Sequence, residues 1–282
     1  MTSHPALARS VDGADPSARL RDFVHRHNRI FVLTGAGCST DSGIPDYRDA
    51  LGNWKRPQPV QFQPFMTELA TRQRYWARSL IGWRRFGRAQ PNDTHRALSK
   101  LESTGRVQCL VTQNVDRLHQ AAGSTKVIDL HGRLDVVRCM TCEDEWSREH
   151  MQAELVAGNP HWLRLDARVA PDGDADLEGL DFSTFRVPGC HRCGGILKPD
   201  VVFFGESVPR GRVEAAMGHI QAADALLIVG SSLMVYSGYR FAAAAAAKGI
   251  PVAAVNLGRT RADELLQLKI EAPCATALAF LL

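Results

Sequence analysis

The stretch IFVLTGAGCS, residues 30–39, decides the fold class of this 282-residue chain. Its first part, residues 30–33, is a short apolar run with β-branched side chains, which is typical of a buried strand. Gly35, Ala36 and Gly37 follow at once, and such small residues let backbone N–H groups come close to a phosphate. The stretch therefore predicts a strand that ends in a phosphate-binding turn.

The turn differs from the usual dinucleotide fingerprint G-x-G-x-x-G, because Thr40 occupies the third glycine position. This disfavours a plain Rossmann dehydrogenase. The chain continues with SGIPDYR, residues 42–48, which places the Asp46 carboxylate, the Tyr47 ring and the Arg48 guanidinium just after the turn. This combination favours a ligand site, and an ion-paired turn is the alternative.

Four more apolar runs have the length and β-branched content of buried strands, namely residues 107–111, 127–130, 225–229 and 251–255. Stretches compatible with helices separate most of them, such as residues 91–104 and 212–223. The alternation predicts an α/β fold with a Rossmann-like, doubly wound parallel sheet and helices on both faces.

Two segments interrupt this alternation. Residues 55–87 are rich in Arg, Trp, Phe and Gln and are predicted to be helical, whereas residues 136–198 contain two C-x-x-C pairs. We expect both to form a smaller lobe, with the ligand cleft between the lobes. The predicted organisation is a flexible lead-in at 1–18 and one catalytic domain at 19–282, with a large lobe (19–54, 88–135, 199–282) and a small lobe (55–87, 136–198).

The two C-x-x-C pairs predict a four-thiolate zinc site, formed by Cys139, Cys142, Cys190 and Cys193. Four protein ligands close the ion to substrate, so its role would be structural. The 47 residues between the pairs exceed an ordinary zinc ribbon and imply an inserted loop. Four reduced cysteines without metal are the alternative, and His150, His161 and His191 are weaker candidate ligands.

Composition excludes several classes of protein. Hydrophobic residues make up 45% and charged residues 23%, which is ordinary for a globular chain and unlike a disordered or collagen-like one. No run of eighteen apolar residues and no secretory signal occurs, so we expect a cytoplasmic protein without a membrane partner. A net charge of +4 does not require nucleic acid. The oligomeric state is left open.

Many motifs together, in the same order, resemble the sirtuins over roughly residues 20–282. They are GAG at 35–37, GIPDYR at 43–48, TQNVD at 112–116, HG at 131–132, the four cysteines, KPDVVFFGE at 198–206 and GSS at 230–232. Residues 72–78, 170–174 and 235–241 are similar to class II, the branch of a mitochondrial sirtuin described as a lipoamidase and ADP-ribosyltransferase.

The resemblance implies an NAD-dependent protein lysine deacylase. In sirtuins the amide oxygen of acyl-lysine attacks C1′ of the nicotinamide ribose, nicotinamide leaves, and an alkylimidate forms. A base then activates a ribose hydroxyl, and free lysine and O-acyl-ADP-ribose result. By resemblance the base is His131, whose neutral imidazole suits proton removal, and Asn114 is the second catalytic residue.

The resemblance also implies one structural Zn²⁺ and a set of NAD contacts. For Asn114 a capped turn after the strand coexists with ligand binding, and for Cys274 a buried apolar role is the alternative. The implied NAD contacts are Gly35, Ala36, Gly37, Asp46, Tyr47, Arg48, Gln113, Asn114, Val115, Asp116, Gly230, Ser231, Ser232, Asn256, Leu257, Gly258 and Cys274.

The implied partner is an acyl-lysine protein or peptide. Val201, Val202 and Phe203 would pair with it as an added strand and wall the acyl-lysine tunnel. Tyr75 and Arg78 are three residues apart and would share a helix face, and desuccinylating sirtuins carry a Tyr-x-x-Arg that binds an acyl carboxylate. The hypothesis is a preference for acyl groups longer than acetyl, including carboxylated ones, and an exposed amphipathic helix is the alternative.

Two other functions are also compatible with the sequence. A mono-ADP-ribosyltransferase would let a protein side chain intercept the same C1′ carbon of NAD. A zinc-ribbon module that senses NAD or ADP-ribose would bind its ligand without nicotinamide release. Release that depends on acyl-lysine and on His131 distinguishes the deacylase from both.

Overall fold

The structure is a computed structural model that describes residues 16–55, 59–165, 174–175, 177 and 179–282. The strands in this part of the chain form two sheets. They are β1 (Ile30–Thr34), β2 (Val107–Thr112), β3 (Val127–Asp129), β4 (Gly132–Cys139), β5 (Glu145–Ser147), β6 (Leu197–Val201), β7 (Ala225–Val229), β8 (Val252–Val255) and β9 (Leu268–Ile270).

The helices lie between these strands. They are α1 (Pro16–Arg26), α2 (Phe62–Thr67), α3 (Leu69–Phe86), α4 (Asp93–Ser103), α5 (Leu118–Ala121), α6 (Arg148–Gly158), α7 (Arg210–Ala222), α8 (Tyr236–Lys248) and α9 (Cys274–Leu278). Short 3₁₀ turns span Ala36–Cys38, Thr40–Ser42, Pro160–Arg164, Asp263–Leu265 and Ala279–Leu281. Among the helices of the described residues, none has the length and apolar character needed to cross a membrane.

The main sheet is parallel throughout and has the order β3-β2-β1-β7-β8-β9. The chain adds strands on one side of β1 and then on the other, so the topology switches between β1 and β7. Alternate residues of β1 enter different cores: Ile30 and Val32 pack with α1, α4 and α9, whereas Phe31 and Leu33 pack with α7 and α8. The predicted doubly wound α/β fold is confirmed.

The second sheet is antiparallel, with the order β5-β4-β6. Helices α3 and α6 share an apolar core with it, and Trp76 of α3 and Met151 of α6 are fully buried there. The Trp76 indole also donates to the Leu197 carbonyl of β6 at 3.3 Å. We call these strands and helices, together with α2 and the Pro160–Arg164 turn, the zinc module.

Some details differ from the sequence predictions. Helix α1 begins at Pro16, within the predicted lead-in, and proline is favoured in a first helical turn. Residues 1–15, and residues 170–173 of the class II stretch 170–174, lie outside the described residues. Strands β4 and β6 cross the predicted lobe boundaries at 135/136 and 198/199. Strand β9 was not predicted, because Lys269 interrupts its apolar run.

Candidate active site

A cleft of about 730 Å³ lies at the carboxyl ends of the parallel strands. Gly35 follows β1, Gln113 follows β2, His131 comes two residues after β3, Gly230 follows β7 and Asn256 follows β8. Because parallel strands end at one edge of a sheet, residues that are far apart in sequence meet there. The cleft therefore occupies the edge at which open α/β sheets bind their ligands.

Two glycine turns form the floor of the cleft in close contact. The Gly37 amide donates to the Gly230 carbonyl at 2.9 Å, and Gly35 donates to the Val229 carbonyl at 3.1 Å. A Cβ on Gly35 would lie 2.7 Å from the Cβ of Ser231, so no side chain fits between the turns. We expected amides that are free for phosphate, but these two are bonded to carbonyls. The glycines instead leave bare backbone that a dinucleotide could approach closely.

An amide and a carboxylate after β2 are held by Ser39. Asn114 Nδ2 donates to the Gly35 carbonyl and to Ser39 Oγ, both at 3.0 Å. Ser39 Oγ in turn donates to Asp116 Oδ2 at 2.6 Å, and the Leu118 amide donates to Asp116 Oδ1 at 2.9 Å. Burial raises the pKa of Asp116, and the bond from Ser39 opposes that rise. The Asx turn after β2 is therefore formed by Asp116, and both Asn114 and Asp116 line the cleft.

Gln113 links the carboxyl ends of β1, β2 and β7. Its Nε2 donates to Ser231 Oγ at 2.8 Å and to the Thr34 carbonyl at 3.2 Å. Gly238 lies so close to the Gln113 side chain that a Cβ would come within 2.5 Å of its Oε1. The Gln113 carbonyl is thereby fixed in position, and it accepts a hydrogen bond from His131.

The His131 imidazole is held at both nitrogens. Nδ1 lies 3.0 Å from the Gln113 carbonyl oxygen, which can only accept, so Nδ1 carries the proton. The basic lone pair is therefore on Nε2, which lies 2.8 Å from Ser237 Oγ. Burial lowers the His131 pKa to about 4, with smaller contributions from Arg212 and Arg240, while the Gln113 bond opposes the shift. At neutral pH this imidazole is uncharged and can accept a proton.

The loop after the first glycine turn is braced by charge and by an aromatic ring. Lys55 Nζ contacts Asp46 Oδ1 at 2.5 Å, and Arg48 Nη1 donates to the Gly52 carbonyl at 2.7 Å. The Arg48 guanidinium also lies 3.9 Å from the centre of the Trp54 ring. The residues thus form an ion-paired turn that also lines the cleft.

Most of the predicted cofactor residues line the cleft. They are Gly35, Ala36, Gly37, Asp46, Tyr47, Arg48, Gln113, Asn114, Val115, Asp116, Gly230, Ser231, Ser232, Asn256 and Leu257, and His131 lies among them. Gly258 and Cys274 are outside the lining. Gly258 faces the Ala50 carbonyl, which a Cβ would approach to 2.3 Å. Cys274 packs in the core with Cys38, which agrees with the alternative that it is a buried apolar side chain.

The predicted substrate residues divide into two groups. Val201, Val202, Phe203 and Tyr75 line the cleft, and the Tyr75 ring packs against Phe203 with centroids 5.3 Å apart. Arg78 does not line it. Arg78 Nε donates to the Ala175 carbonyl at 2.8 Å, and the Ala175 amide donates back to the Arg78 carbonyl at 2.9 Å. Arg78 therefore holds the inserted segment instead of facing an acyl group.

The four cysteine sulfurs converge at one end of the zinc module, all within 4.8 Å of one another. Cys139 and Cys193 Sγ are 3.5 Å apart, and Cys142 and Cys190 Sγ are 3.7 Å apart. A tetrahedral zinc with Zn–S bonds of about 2.3 Å separates its sulfurs by about 3.8 Å. A Cβ on Gly195 would lie 2.9 Å from Cys139 Sγ, so glycine lets the chain close around the ion. Donor type and spacing both fit a structural zinc.

Sequence reasoning missed several polar residues of the cleft, among them Ser39, Ser237 and Arg240. Ser39 ends the opening stretch, and the other two lie in the class II stretch 235–241. Their residue types were visible, but their contacts depend on how α8 and the first turn approach β2 and β3. Arg240 has a buried Nε without a hydrogen-bond partner among the described residues.

Fold, cleft and cysteine cluster together define a Rossmann-like enzyme that uses NAD and carries a structural zinc. The chain belongs to the Sir2 family of NAD-dependent protein deacylases, whose family pattern matches residues 35–237.

Known proteins of this family are similar along most of their length. The NAD-dependent protein deacetylase of Xanthomonas axonopodis pv. citri (strain 306) is 69% identical over 93% of this chain and 89% of that protein. The NAD-dependent protein deacylase Sirt4 of Drosophila melanogaster is 47% identical over 92% and 84%. The solved structure "Sir2-p53 peptide-NAD+" has a TM-score of 0.73 at 29% identity and covers 93% of this chain and 95% of its own.

Proposed function

We propose that this protein transfers an acyl group from lysine to ADP-ribose, with His131 as the base and a preference for uncharged acyl groups longer than acetyl. One observation carries the proposal. His131 is a neutral imidazole whose basic nitrogen Nε2 contacts Ser237 Oγ, and both residues line a cleft built from the ends of five parallel strands. The cytoplasmic location and the lobe boundaries given above remain predictions.

The cleft fits NAD. When bound, NAD supplies a ribose carbon that loses nicotinamide and hydroxyls that receive the acyl group. Gly35, Gly37 and Gly230 let the two turns pack against each other, because a side chain at any of them would collide with the opposite turn, and the diphosphate would lie along the cleft floor that these turns form. Asn114 and Asp116 offer an amide and a carboxylate to the nicotinamide end.

His131 contributes the proton transfer. Its Nε2 would take a proton from a hydroxyl within hydrogen-bond reach, and the Gln113 carbonyl would stabilise the resulting imidazolium through Nδ1–H. The approach of a ribose hydroxyl would displace or share the Ser237 hydroxyl that now lies 2.8 Å from Nε2. The base is thus oriented before the substrate arrives.

The edge of the antiparallel sheet would bind the segment of the substrate that carries the acyl-lysine. Strand β6 is an outer strand in the order β5-β4-β6, and it continues into Val202 and Phe203, which line the cleft. An extended peptide can add to such an edge through main-chain hydrogen bonds, which accept varied sequences. This supports a protein or peptide substrate.

The acyl group would meet apolar walls. Five side chains that line the cleft are apolar or aromatic and largely buried: Ile44, Tyr75, Phe86, Leu134 and Phe203. Arg78, the candidate for binding an acyl carboxylate, is instead bonded to Ala175. These contacts favour a long, uncharged acyl chain over a carboxylated one, which narrows the hypothesis drawn from the sequence.

The decisive experiment measures nicotinamide release from NAD with acyl-lysine peptides, comparing wild type with His131→Ala. We expect release to require the peptide, to yield O-acyl-ADP-ribose and to fall by roughly 10²- to 10⁴-fold in the variant. His161→Ala, an exposed position outside the cleft, is the control. Release without peptide, with ADP-ribose on protein, would instead favour the transferase, and binding without release would favour the sensor.

The acyl preference is tested by comparing kcat/KM for acetyl, lipoyl, decanoyl, glutaryl and hydroxymethylglutaryl peptides. We expect the lipoyl and decanoyl peptides to be the best substrates, with the same ranking in Arg78→Ala. A preference for glutaryl that disappears in Arg78→Ala would restore the carboxylate hypothesis. Equal rates on all peptides would remove the preference altogether.

A further inference from the structure

Three side chains with metal-binding atoms meet at the surface of the zinc module. His150 and Glu154 are four residues apart on α6, and His191 lies between Cys190 and Cys193. One ligand atom from each of His150, Glu154 and His191 lies within 4.8 Å of the other two. None of the three lines the cleft, so the active site does not account for this cluster.

The distances are close to those of a tetrahedral metal centre. His191 Nε2 lies 3.4 Å from Glu154 Oε2, and His150 Nε2 lies 3.9 Å from Glu154 Oε1. Zinc bonds of about 2.0 to 2.2 Å to nitrogen and oxygen place neighbouring ligand atoms about 3.4 Å apart. The first pair already has this separation. His150 approaches the other carboxylate oxygen, so one ion would bind both oxygens of Glu154, or one of them after a rotation of the carboxylate.

Trp146 of β5 fixes both imidazoles. Its ring lies 4.7 Å from the His150 ring and 4.6 Å from the His191 ring, centre to centre. The indole is itself largely buried, and its Nε1 donates to Asp144 Oδ2 at 3.0 Å. Because the Trp146 ring restricts both imidazoles, they lose less conformational entropy on binding an ion than two unrestricted side chains would.

The imidazoles of His150 and His191 have few other polar contacts. Within the described residues, the Glu154 carboxylate oxygens are the only polar side-chain partners recorded for either histidine ring. These contacts are partly exposed, and exposed polar contacts of this kind contribute little to stability. Exposure of His150 (53%) and His191 (61%) would leave an ion a direct path from solvent. Two imidazoles and one carboxylate are also a common ligand set for zinc.

We propose that His150, Glu154 and His191 bind one divalent transition metal ion, such as Zn²⁺, in a site separate from the four-cysteine centre. Three protein ligands leave the fourth position to water. Because two ligands come from α6 and the third from the loop that carries two zinc cysteines, the ion would tie this helix to the cysteine cluster. This proposal does not depend on the proposed deacylase activity.

The test counts zinc bound to the full chain. Protein that retains its cysteine-bound zinc is dialysed against micromolar Zn²⁺ at pH 7.5, and bound metal is measured by mass spectrometry. We expect two ions per chain for wild type and for His161→Ala, and one for His150→Ala, Glu154→Gln and His191→Ala. His150 and Glu154 lie outside the cysteine loop, so their variants keep the result interpretable if His191→Ala misfolds.

A Co²⁺ titration of the zinc-retaining protein identifies the ligands of the second ion. We expect a weak visible spectrum without an intense thiolate-to-cobalt charge-transfer band, and binding at least tenfold weaker in His150→Ala and Glu154→Gln. One zinc per wild-type chain would overturn the proposal and leave simple ion pairs. So would a strong thiolate band, or a second ion that all the variants bind as tightly as wild type.

Discussion

At the scale of single residues, the orientation of His131 is the central feature of the site. A carbonyl from the end of β2 fixes the proton on Nδ1, and a hydroxyl from the start of α8 contacts Nε2. The Ser237 hydroxyl must donate in this contact, because the Nε2 lone pair accepts. A bond to the neutral form favours that form and lowers the pKa of the imidazole.

Removing this bond should change the pH profile of the enzyme. In Ser237→Ala we expect the His131 pKa to rise towards its ordinary value, because the neutral imidazole loses its donor while burial, Arg212 and Arg240 still oppose the charge. The acid limb of kcat/KM against pH should move to higher pH, with a loss of about tenfold or less at pH 7.5. The measurement is the pH dependence of kcat/KM for nicotinamide release.

Ser237→Thr, which retains a hydroxyl, is the matched control and should keep the acid limb in place. An acid limb that is identical in wild type and Ser237→Ala would exclude a role for the hydroxyl in setting the basicity of His131. A lower kcat/KM with an unchanged profile would indicate a packing role only.

The sequence predicted single residues where local motifs identify them. Gly35, Gly37, Gln113 and His131 each directly follow or nearly follow an apolar strand, and that position alone brings them to one edge of the sheet. Ser237 could not be assigned in this way, because its contact joins residues 106 positions apart in the chain. Neither could Arg78, whose partner belongs to the inserted segment.

At the scale of elements, α6 is attached to α3 by a buried charge. Arg148 is 1% exposed and donates to the Ser79 carbonyl and to Ser79 Oγ, both at 3.1 Å, and to Gln152 Oε1 at 2.8 Å. Its guanidinium lies 4.7 Å from the centre of the Trp83 ring. Burial lowers the Arg148 pKa to about 10, so the group remains charged at neutral pH.

Truncation of this side chain should destabilise the protein strongly. Arg148→Ala leaves a cavity and removes the hydrogen bonds to Ser79 and Gln152, and we expect a loss of about 2 to 4 kcal/mol in the free energy of unfolding. Arg148→Met fills the space without a charge and should lose less. Urea denaturation followed by circular dichroism measures both variants.

Arg26→Ala on the exposed face of α1 is the control and should change the free energy by less than about 0.5 kcal/mol. If Arg148→Ala is as stable as this control, Arg148 does not attach α6 to α3.

Elements were predictable to different degrees. The C-x-x-C spacing was enough to predict the cysteine cluster, since the chemistry of the ligands determines their geometry. The helical character of residues 55–87 was also visible, but not which face of α3 would be buried. That depends on the strands β4 and β6, which the sequence did not indicate.

At the scale of the whole molecule, three buried histidines make the fold sensitive to acid. Burial lowers the pKa of His95 to about 4, that of His119 well below its ordinary value and that of His131 to about 4. The His95 and His119 rings are tilted against each other with centres 4.8 Å apart, and His119 Nε2 contacts Thr34 Oγ1 at 2.9 Å. All three are uncharged in the folded state at neutral pH.

Stability should therefore fall as the pH drops below about 6.5, the ordinary histidine value. Between about pH 6.5 and 4 the unfolded chain binds protons that the folded chain does not, so unfolding is favoured by acid. Asp116, whose pKa is raised, acts in the opposite direction but only near the carboxyl range. We expect the free energy of unfolding to decrease by roughly 1 to 3 kcal/mol per pH unit between pH 6.5 and 5.5.

The check is urea denaturation from pH 7.5 to 5.5, with zinc content measured at each pH because cysteine protonation can release the ion. His131→Asn removes one of the three groups and should reduce the slope by about one third. A free energy that does not change between pH 7 and 5.5 would show that these histidines are protonated equally in both states.

The architecture as a whole was the most predictable level. Alternating apolar runs and helical stretches are a repeated signal, and five of the six strands of the main sheet follow from them. The antiparallel sheet was less accessible, because its strands β4 and β6 lie 57 residues apart in the chain.

One feature of the backbone has a mechanical consequence for the whole enzyme. The imidazole of His131 is bonded to groups of the main sheet and α8, whereas its own carbonyl accepts the amide of Val202 at 2.8 Å. Gly132, with φ of 83°, turns the chain directly into β4. His131, the proposed base, thus lies where the chain passes from one sheet to the other, and its carbonyl is bonded to the strand edge proposed to bind the peptide. Sliding of one sheet against the other would displace His131 Nε2. We therefore expect peptide binding at this edge and proton transfer at His131 to be coupled.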